Sequence, residues 1–201
     1  MTIGILCEGE YDFGPLKAFV EKIFLQRLGI ESETLSFIQS CAHGQTLTRI
    51  SVGIVRLREE LLLGEPSADF IVLHSDLDGK HNARADRIGL RDSVQREFPG
   101  LNIALALPDP HLEEWFFAER DSLLNYFNFE GDFPSIQGKD PKARFKNLIK
   151  RYGDITLTNQ EIYLEIANLI DIEKLSGRDR NFRYFLNDLI ATHNTFHREK
   201  G

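Results

Sequence analysis

Two aspartates stand two residues apart in the segment H-S-D-L-D-G, residues 74–79. Side chains two apart on a strand point to the same side, so Asp76 and Asp78 are expected to project together from the end of a strand. Neighbouring carboxylates raise each other's pKa unless a cation neutralises them, and hard oxygen ligands suit Mg²⁺ or Mn²⁺. The pair predicts a divalent-metal site. Turn-capping aspartates before a glycine are the alternative interpretation.

A glutamate follows the first apolar run, in the segment C-E-G-E at residues 7–10. If the first and third predicted strands are neighbours, Glu8 lies within a metal's reach of Asp76 and Asp78, at the sheet edge where α/β proteins bind ligands. These side chains then form a three-carboxylate metal site. Glu10 and Asp12 are reserve candidates, because acids in a first helical turn also offset the helix dipole. Asp12 is the weaker of the two, since an aspartate there can instead cap the helix that follows.

A further acid comes just after the fourth apolar run, in P-D-P-H-L-E-E-W-F-F-A at residues 108–118. Glu113 at that edge could complete a second metal position or orient a water, although an acid in a first helical turn also offsets the helix dipole. Isolated imidazoles near such an edge are more often hydrogen-bonding or surface groups than ligands. We therefore leave His74, His81 and His111 out of the metal site.

A group of basic residues follows the acidic middle of the chain. Lys142, Lys146 and Lys150 recur every four residues, so they line one face of a helix and could bind nucleic-acid phosphates. Without interleaved aromatic residues on that face, we expect phosphate contacts without sequence recognition. A solvated helix face is the alternative.

Hydrophobic periodicity predicts alternating strands and helices, which is typical of an α/β domain with a mainly parallel sheet flanked by helices. We assign residues 1–130 to this catalytic core and residues 131–201 to a helical C-terminal extension packed on it. The predicted strands are 2–7, 34–39, 68–74 and 101–107, and the predicted helices are 13–28, 45–63, 84–98, 111–127, 142–152, 159–170 and 180–193.

Composition narrows the functional classes. The 201 residues are 42% hydrophobic and 27% charged, as in globular proteins, and no apolar run has the length of a membrane span. Cys7 and Cys41 lack a C-x-x-C spacing, so we expect two buried free thiols in a cytoplasmic protein.

The net charge of −7 does not favour nucleic acid by itself, so a polyanion would need divalent cations and a separate basic surface. No P-loop or G-x-G-x-x-G is present, which argues against ATPases and dinucleotide enzymes.

These motifs resemble the Toprim pattern of topoisomerases, primases and OLD-type nucleases, in which Glu-Gly follows the first strand and D-x-D-G follows a later central strand. The segment H-L-E-E-W-F-F-A and the stretch at residues 166–186 resemble a Toprim-like bacterial family of unknown function. The resemblance implies that Glu8 is a general acid/base or metal ligand and that Asp76 and Asp78 hold Mg²⁺ or Mn²⁺ against a phosphodiester. Glu113 matches the acid of the smaller family's motif.

The resemblance therefore implies a metal-dependent phosphodiester hydrolase acting on DNA or RNA, with Glu8, Asp76, Asp78 and Glu113 as catalytic residues. It also associates the chain with a defence or toxin role. One alternative is a non-catalytic module of the same fold that binds a protein or nucleotide partner. Another is a metal-dependent transferase, such as a nucleotide-sugar transferase, against which the early Glu8 argues.

Overall fold

The sheet consists of four parallel strands within the residues that the structure describes, which are 1–43, 47–59, 68–79 and 83–200 of a computed structural model. The strands lie in the order β2-β1-β3-β4. The three strands β1, β3 and β4 are almost wholly buried, as expected for apolar runs covered on both faces. Their bounds are β1 (Thr2–Cys7), β2 (Ser36–Cys41), β3 (Phe70–His74) and β4 (Ile103–Ala106).

Helices cover both faces of this sheet. The described helices are α1 (Phe13–Ile23), α2 (Leu47–Glu59), α3 (Ala83–Glu97), α4 (Glu113–Ala118), α5 (Arg120–Tyr126), α6 (Pro141–Tyr152), α7 (Asn159–Leu169), α8 (Ile172–Arg178) and α9 (Arg180–Lys200). Helices α2 and α3 pack on the face formed by Leu6, Leu73 and Leu105. Helices α1 and α4 to α9 contribute to the core on the opposite face.

Local sequence signals explain where several helices begin and end. The Asp140 carboxylate accepts a hydrogen bond of 2.7 Å from the backbone N–H of Ala143 and caps α6. Thr158 and Glu161 form the predicted capping box at the start of α7. Helix α1 is followed without a break by a π-helical segment, Phe24–Leu28, which ends at Gly29. The φ of 65° at Gly29 suits glycine.

The larger core joins the first and last parts of the chain through aromatic contacts. The Trp115 ring lies 5.8 Å from Phe19 of α1 and 5.0 Å from Phe182 of α9, measured between ring centroids. All three side chains are fully buried. Because aromatic side chains bury large apolar areas, these contacts tie α9 to the sheet domain through one continuous core.

The predicted α/β fold with a parallel sheet and C-terminal helices is confirmed. The predicted helix 111–127 is wrong in one respect: it is two helices, α4 and α5, separated at Glu119. The expectation of two buried thiols is also wrong, because Cys41, at the end of edge strand β2, is only partly buried. Helix α8 was not predicted. Parts of the predicted helix 45–63, and His81, lie outside the described residues.

No helix in the described part of the chain combines the length and apolar character needed to cross a membrane.

Candidate active site

The site lies where three neighbouring strands end. Strand β1 pairs with β3, and β3 pairs with β4, so their carboxyl ends meet at one edge of the sheet. This confirms that the first and third predicted strands are neighbours. Glu8 directly follows β1, Asp76 lies two residues beyond β3, and Glu113 opens α4 after the loop that leaves β4.

A cavity of about 420 Å³ opens at this edge. Among the residues that the structure describes, four carboxylates and two lysine ammonium groups line it. These six residues are Glu8, Asp12, Asp76, Glu113, Lys142 and Lys146. The lysines come from α6 and the acids from the sheet edge, so the cavity lies between the sheet and the C-terminal helices.

Asp76 is buried and lies close to four groups: a backbone N–H, two imidazoles and an ammonium group. Its Oδ1 accepts a 3.1 Å hydrogen bond from the backbone N–H of Leu112 and lies 3.4 Å from His74 Nε2. Its Oδ2 lies 3.2 Å from His111 Nδ1 and 3.8 Å from Lys142 Nζ. Burial alone would raise the pKa of Asp76, but the cationic partners outweigh it and lower that pKa. Asp76 is therefore ionised at neutral pH.

His74, the last residue of β3, lies fully buried between two acids. Its Nδ1 is 3.6 Å from Asp12 Oδ2, and its Nε2 faces Asp76. Burial by itself would lower the pKa of His74, yet Asp12, Asp76 and Glu8 together raise it to about 9. The imidazolium thus supplies a positive charge beneath the cavity.

Glu8 and Asp12 are fixed by short local contacts. Ser75 Oγ donates a 2.9 Å hydrogen bond to Glu8 Oε1. The backbone N–H of Gly9 donates a 2.9 Å bond to Asp12 Oδ2. Both carboxylates therefore have defined positions at the cavity wall. The predicted cap of α1 by the Asp12 side chain is wrong: that carboxylate closes the preceding turn through Gly9 and lines the cavity.

Glu113 differs from Asp76 in its surroundings. It is 3% exposed, and Tyr163 OH donates a 2.6 Å hydrogen bond to its Oε1. Burial raises the pKa of Glu113, and the Tyr163 hydroxyl only partly offsets this. The pKa of Asp76 is thus lowered and that of Glu113 raised within one cavity. Such a pair can combine a carboxylate that stays charged with a carboxyl group that carries a proton.

Asp78 lies outside the cavity lining, and its side chain is 56% exposed. Strand β3 ends at His74, so the alternation that would align Asp76 with Asp78 does not continue. Asp78 adopts a left-handed φ of 53° in the turn, and its Oδ1 lies 3.8 Å from His111 Nδ1. Both aspartates therefore lie near the His111 imidazole, but Asp76 is buried and Asp78 is exposed.

Two of the three aligned lysines of α6 lie in the cavity wall. Lys142 and Lys146 line the cavity, and Lys150, one turn further on, does not, although all three residues are exposed. Burial lowers the pKa of Lys142, but Glu113, Asp76 and further acids outweigh burial and raise it. Lys142 is thus a firmly charged cation beside the carboxylates.

Sequence reasoning missed the contributions of His74, Tyr163 and Tyr11. His74 ends an apolar strand next to acids, which was a signal for a buried imidazolium. Tyr163 contacts Glu113 from 50 residues away, and no local pattern indicates that contact. Tyr11 lines the cavity although it lies in a single turn between β1 and α1.

The carboxylates suit a hard cation in chemical type. In the described ranges, no cluster of three or more histidine, cysteine, aspartate or glutamate side chains is arranged to hold a metal ion. In many proteins, however, Mg²⁺ is bound by only one or two carboxylates, and its other ligands are waters or substrate phosphate oxygens. Glu8 and Asp76, which line the same cavity, fit a site of that open kind.

Comparisons of the chain with protein-family models, with curated proteins and with solved structures find no match.

Proposed function

We propose that the protein is a divalent-metal-dependent phosphodiester hydrolase that acts on DNA or RNA. The observation that carries this proposal is the cavity at the carboxyl edge of the sheet, where four carboxylates lie opposite two lysines. A phosphodiester hydrolase needs oxygen ligands for a cation, cations for the substrate phosphate and a group that moves a proton. The cavity contains residues of all three kinds.

Charge explains why a cation belongs in the proposal. When Glu113 is protonated, the three other carboxylates are balanced by Lys142, Lys146 and the buried His74. A bound divalent ion would then supply the net positive charge that attracts a phosphate. Glu8 and Asp76 would hold Mg²⁺ or Mn²⁺, with Asp78 as a further candidate from the adjoining turn. When bound, the ion would neutralise the phosphate and lower the pKa of a coordinated water.

The other groups have roles that follow from their contacts. Lys142 and Lys146 would bind the non-bridging phosphate oxygens. Glu113, whose pKa is raised by burial, would give a proton to the leaving oxygen. His74 and His111 contact Asp76 and would act as positioning residues that keep its carboxylate charged and oriented.

The Toprim relationship is part of this proposal. It is supported by the order of the motifs along the chain and by the placement of Glu8 and Asp76 at one edge of a parallel sheet. A defence or toxin role rests on the resemblance alone.

The test is cleavage of end-labelled single- and double-stranded DNA and RNA with EDTA, Mg²⁺ or Mn²⁺. We expect the wild type to cleave at least one substrate only when metal is present. Asp76→Asn should remove cleavage, and because Asp76 pairs with the buried His74 it should also lower the Tm. Activity is therefore compared at a temperature at which circular dichroism shows the variant folded. Asp132→Asn is the matched control, because Asp132 pairs with Arg120 outside the cavity. Equal activity of Asp76→Asn and wild type would refute the proposed mechanism.

A second candidate is a non-catalytic module that binds a protein or nucleotide partner. It is favoured by the contacts of Asp76, which already faces His74, His111, Lys142 and a backbone N–H. Those contacts compensate a buried carboxylate without any metal. Absence of cleavage on every substrate, together with no metal-dependent gain in stability, would support this candidate.

A further inference from the structure

Tyr11 is an unusual residue for the wall of a charged cavity. It is 54% exposed, although large aromatic side chains are usually well buried. Its ring centroid lies 6.5 Å from that of Tyr163, at an interplanar angle of 41°, and the residue lines the cavity. More than half of Tyr11 is therefore available to a ligand.

The surroundings of Tyr11 combine apolar and polar groups. Tyr163 is buried and packs against Phe116 and Phe145, so it is a rigid neighbour. Ile149 adds apolar surface to the lining, and Asn159 adds a side-chain amide. The same cavity thus has an aromatic and apolar part beside its charged part.

We infer that the cavity receives one unpaired nucleotide of a single-stranded nucleic acid, with its base stacked on Tyr11 and its phosphate bound by Lys142 and Lys146. This inference rests on the proposed function, because the same cavity would hold the reacting phosphate. It adds that the substrate is single-stranded and that Tyr11 binds it, in addition to the acids and lysines.

Base stacking explains why the nucleotide must be unpaired. Inside a duplex the two faces of each base are covered by its neighbours, so an aromatic side chain reaches a base face only after the base leaves the stack. A cavity of about 420 Å³ also falls in the range of small-ligand sites, which suits one nucleotide rather than a helix. The site therefore selects single strands, ends or extruded bases.

Stacking also predicts weak sequence preference. Every base has an aromatic face, so an exposed tyrosine binds all four bases. The Asn159 side chain has two N–H donors and a carbonyl acceptor, which modulate base preference without specifying a sequence.

The test measures binding of a fluorescent oligothymidine and of a hairpin duplex by anisotropy, in Mg²⁺ and in a Glu113→Gln background that lacks the proposed proton donor. We expect tighter binding of the single strand. Adding Tyr11→Ala should weaken that binding by about 5- to 140-fold, the cost of losing one stacked base. Tyr11→Phe keeps the ring and should bind like its parent. Tyr152→Ala is the matched control, because Tyr152 is exposed but lies outside the cavity lining.

The outcomes separate this inference from the proposed hydrolase. Unchanged affinity of Tyr11→Ala, equal weakening by Tyr152→Ala, or equal affinity for the duplex would overturn the inference, while metal-dependent cleavage by the wild type would still support the hydrolase. A Tyr11-dependent affinity without any cleavage would support the nucleotide site and refute the hydrolase. Thymidine monophosphate is added as a competitor. Displacement near the Kd of the strand would assign the site to a free nucleotide and contradict the single strand.

Discussion

At the scale of single residues, the surroundings of each carboxylate decide what it can do. Asp76 faces two imidazoles and an ammonium group, which lower its pKa, whereas Glu113 faces a tyrosine hydroxyl inside the protein and has a raised pKa. The first group stays ionised to lower pH than an ordinary aspartate, and the second keeps its proton to higher pH than an ordinary glutamate. This difference arises from tertiary contacts, because both residues are carboxylic acids after a strand of the same sheet.

His74 gives the clearest pH dependence at this scale. Its pKa is raised to about 9 in the folded protein by Asp12, Asp76 and Glu8, against burial that lowers it, while an unfolded histidine titrates near 6.5. The folded state therefore binds the proton more tightly, so this stabilisation is complete below about pH 6.5 and is lost as the pH rises through 9. It amounts to roughly 3 kcal/mol. Urea unfolding should show that His74→Gln lowers stability most at the acidic end of this range.

His197→Gln is the control for this experiment, because His197 is an exposed residue of α9. Its pH profile should follow that of the wild type. If the free energies of unfolding of wild type and His74→Gln run parallel from about pH 6.5 to 9, His74 does not carry the buried positive charge.

At the scale of elements, the site depends on which strands are neighbours and on which residues of α6 face the cavity at the sheet edge. The pairing of β1 with β3 brings Glu8 to Asp76, and α6 directs two of its three aligned lysines into the cavity. The spacing of Lys142, Lys146 and Lys150 predicted one helix face. The packing of that helix determines which of them can meet a phosphate bound in the cavity.

The salt dependence of binding tests this use of α6. Lys142→Gln/Lys146→Gln should weaken binding of single-stranded DNA and flatten the plot of log Kobs against log salt, by about 0.7 per lost phosphate contact. Anisotropy titrations at several salt concentrations measure the slope. The physical reason is that each lysine bound to a phosphate releases condensed counterions.

The matched control is Lys139→Gln/Lys150→Gln, which removes the same charge from exposed positions outside the cavity lining. Its slope should remain closer to that of the wild type. Equal flattening in the two double variants would mean that α6 acts as a diffuse basic surface, without phosphate binding in the cavity.

At the scale of the whole molecule, the chain beyond residue 130 completes the site. Lys142 and Lys146 on α6 and Tyr163 on α7 line a cavity whose acids belong to the sheet domain. Phe182 of α9 shares the core with Trp115. The C-terminal helices therefore build part of the site in addition to supporting the fold.

The sequence was sufficient for the fold class because strand and helix patterns are local, and short apolar runs alternating with amphipathic segments indicate a parallel sheet. It also identified Glu8, Asp76 and Glu113 as acids at one sheet edge. It could not indicate that Asp78 lies in an exposed turn outside the cavity lining, since that depends on where β3 ends, nor that Tyr163 reaches Glu113. Such contacts arise from packing between distant segments.

The most direct test of a metal site at this edge is thermal unfolding of the wild type and of Glu8→Gln/Asp76→Asn, first in EDTA and then with Mn²⁺ or Mg²⁺ titrated in. A cation that binds only the folded protein raises its stability by mass action, by about 2.7 kcal/mol at a hundred times its Kd. We predict a metal-dependent rise in Tm for the wild type and none for the double variant. No rise in either protein, or the same rise in both, would contradict a metal site formed by Glu8 and Asp76.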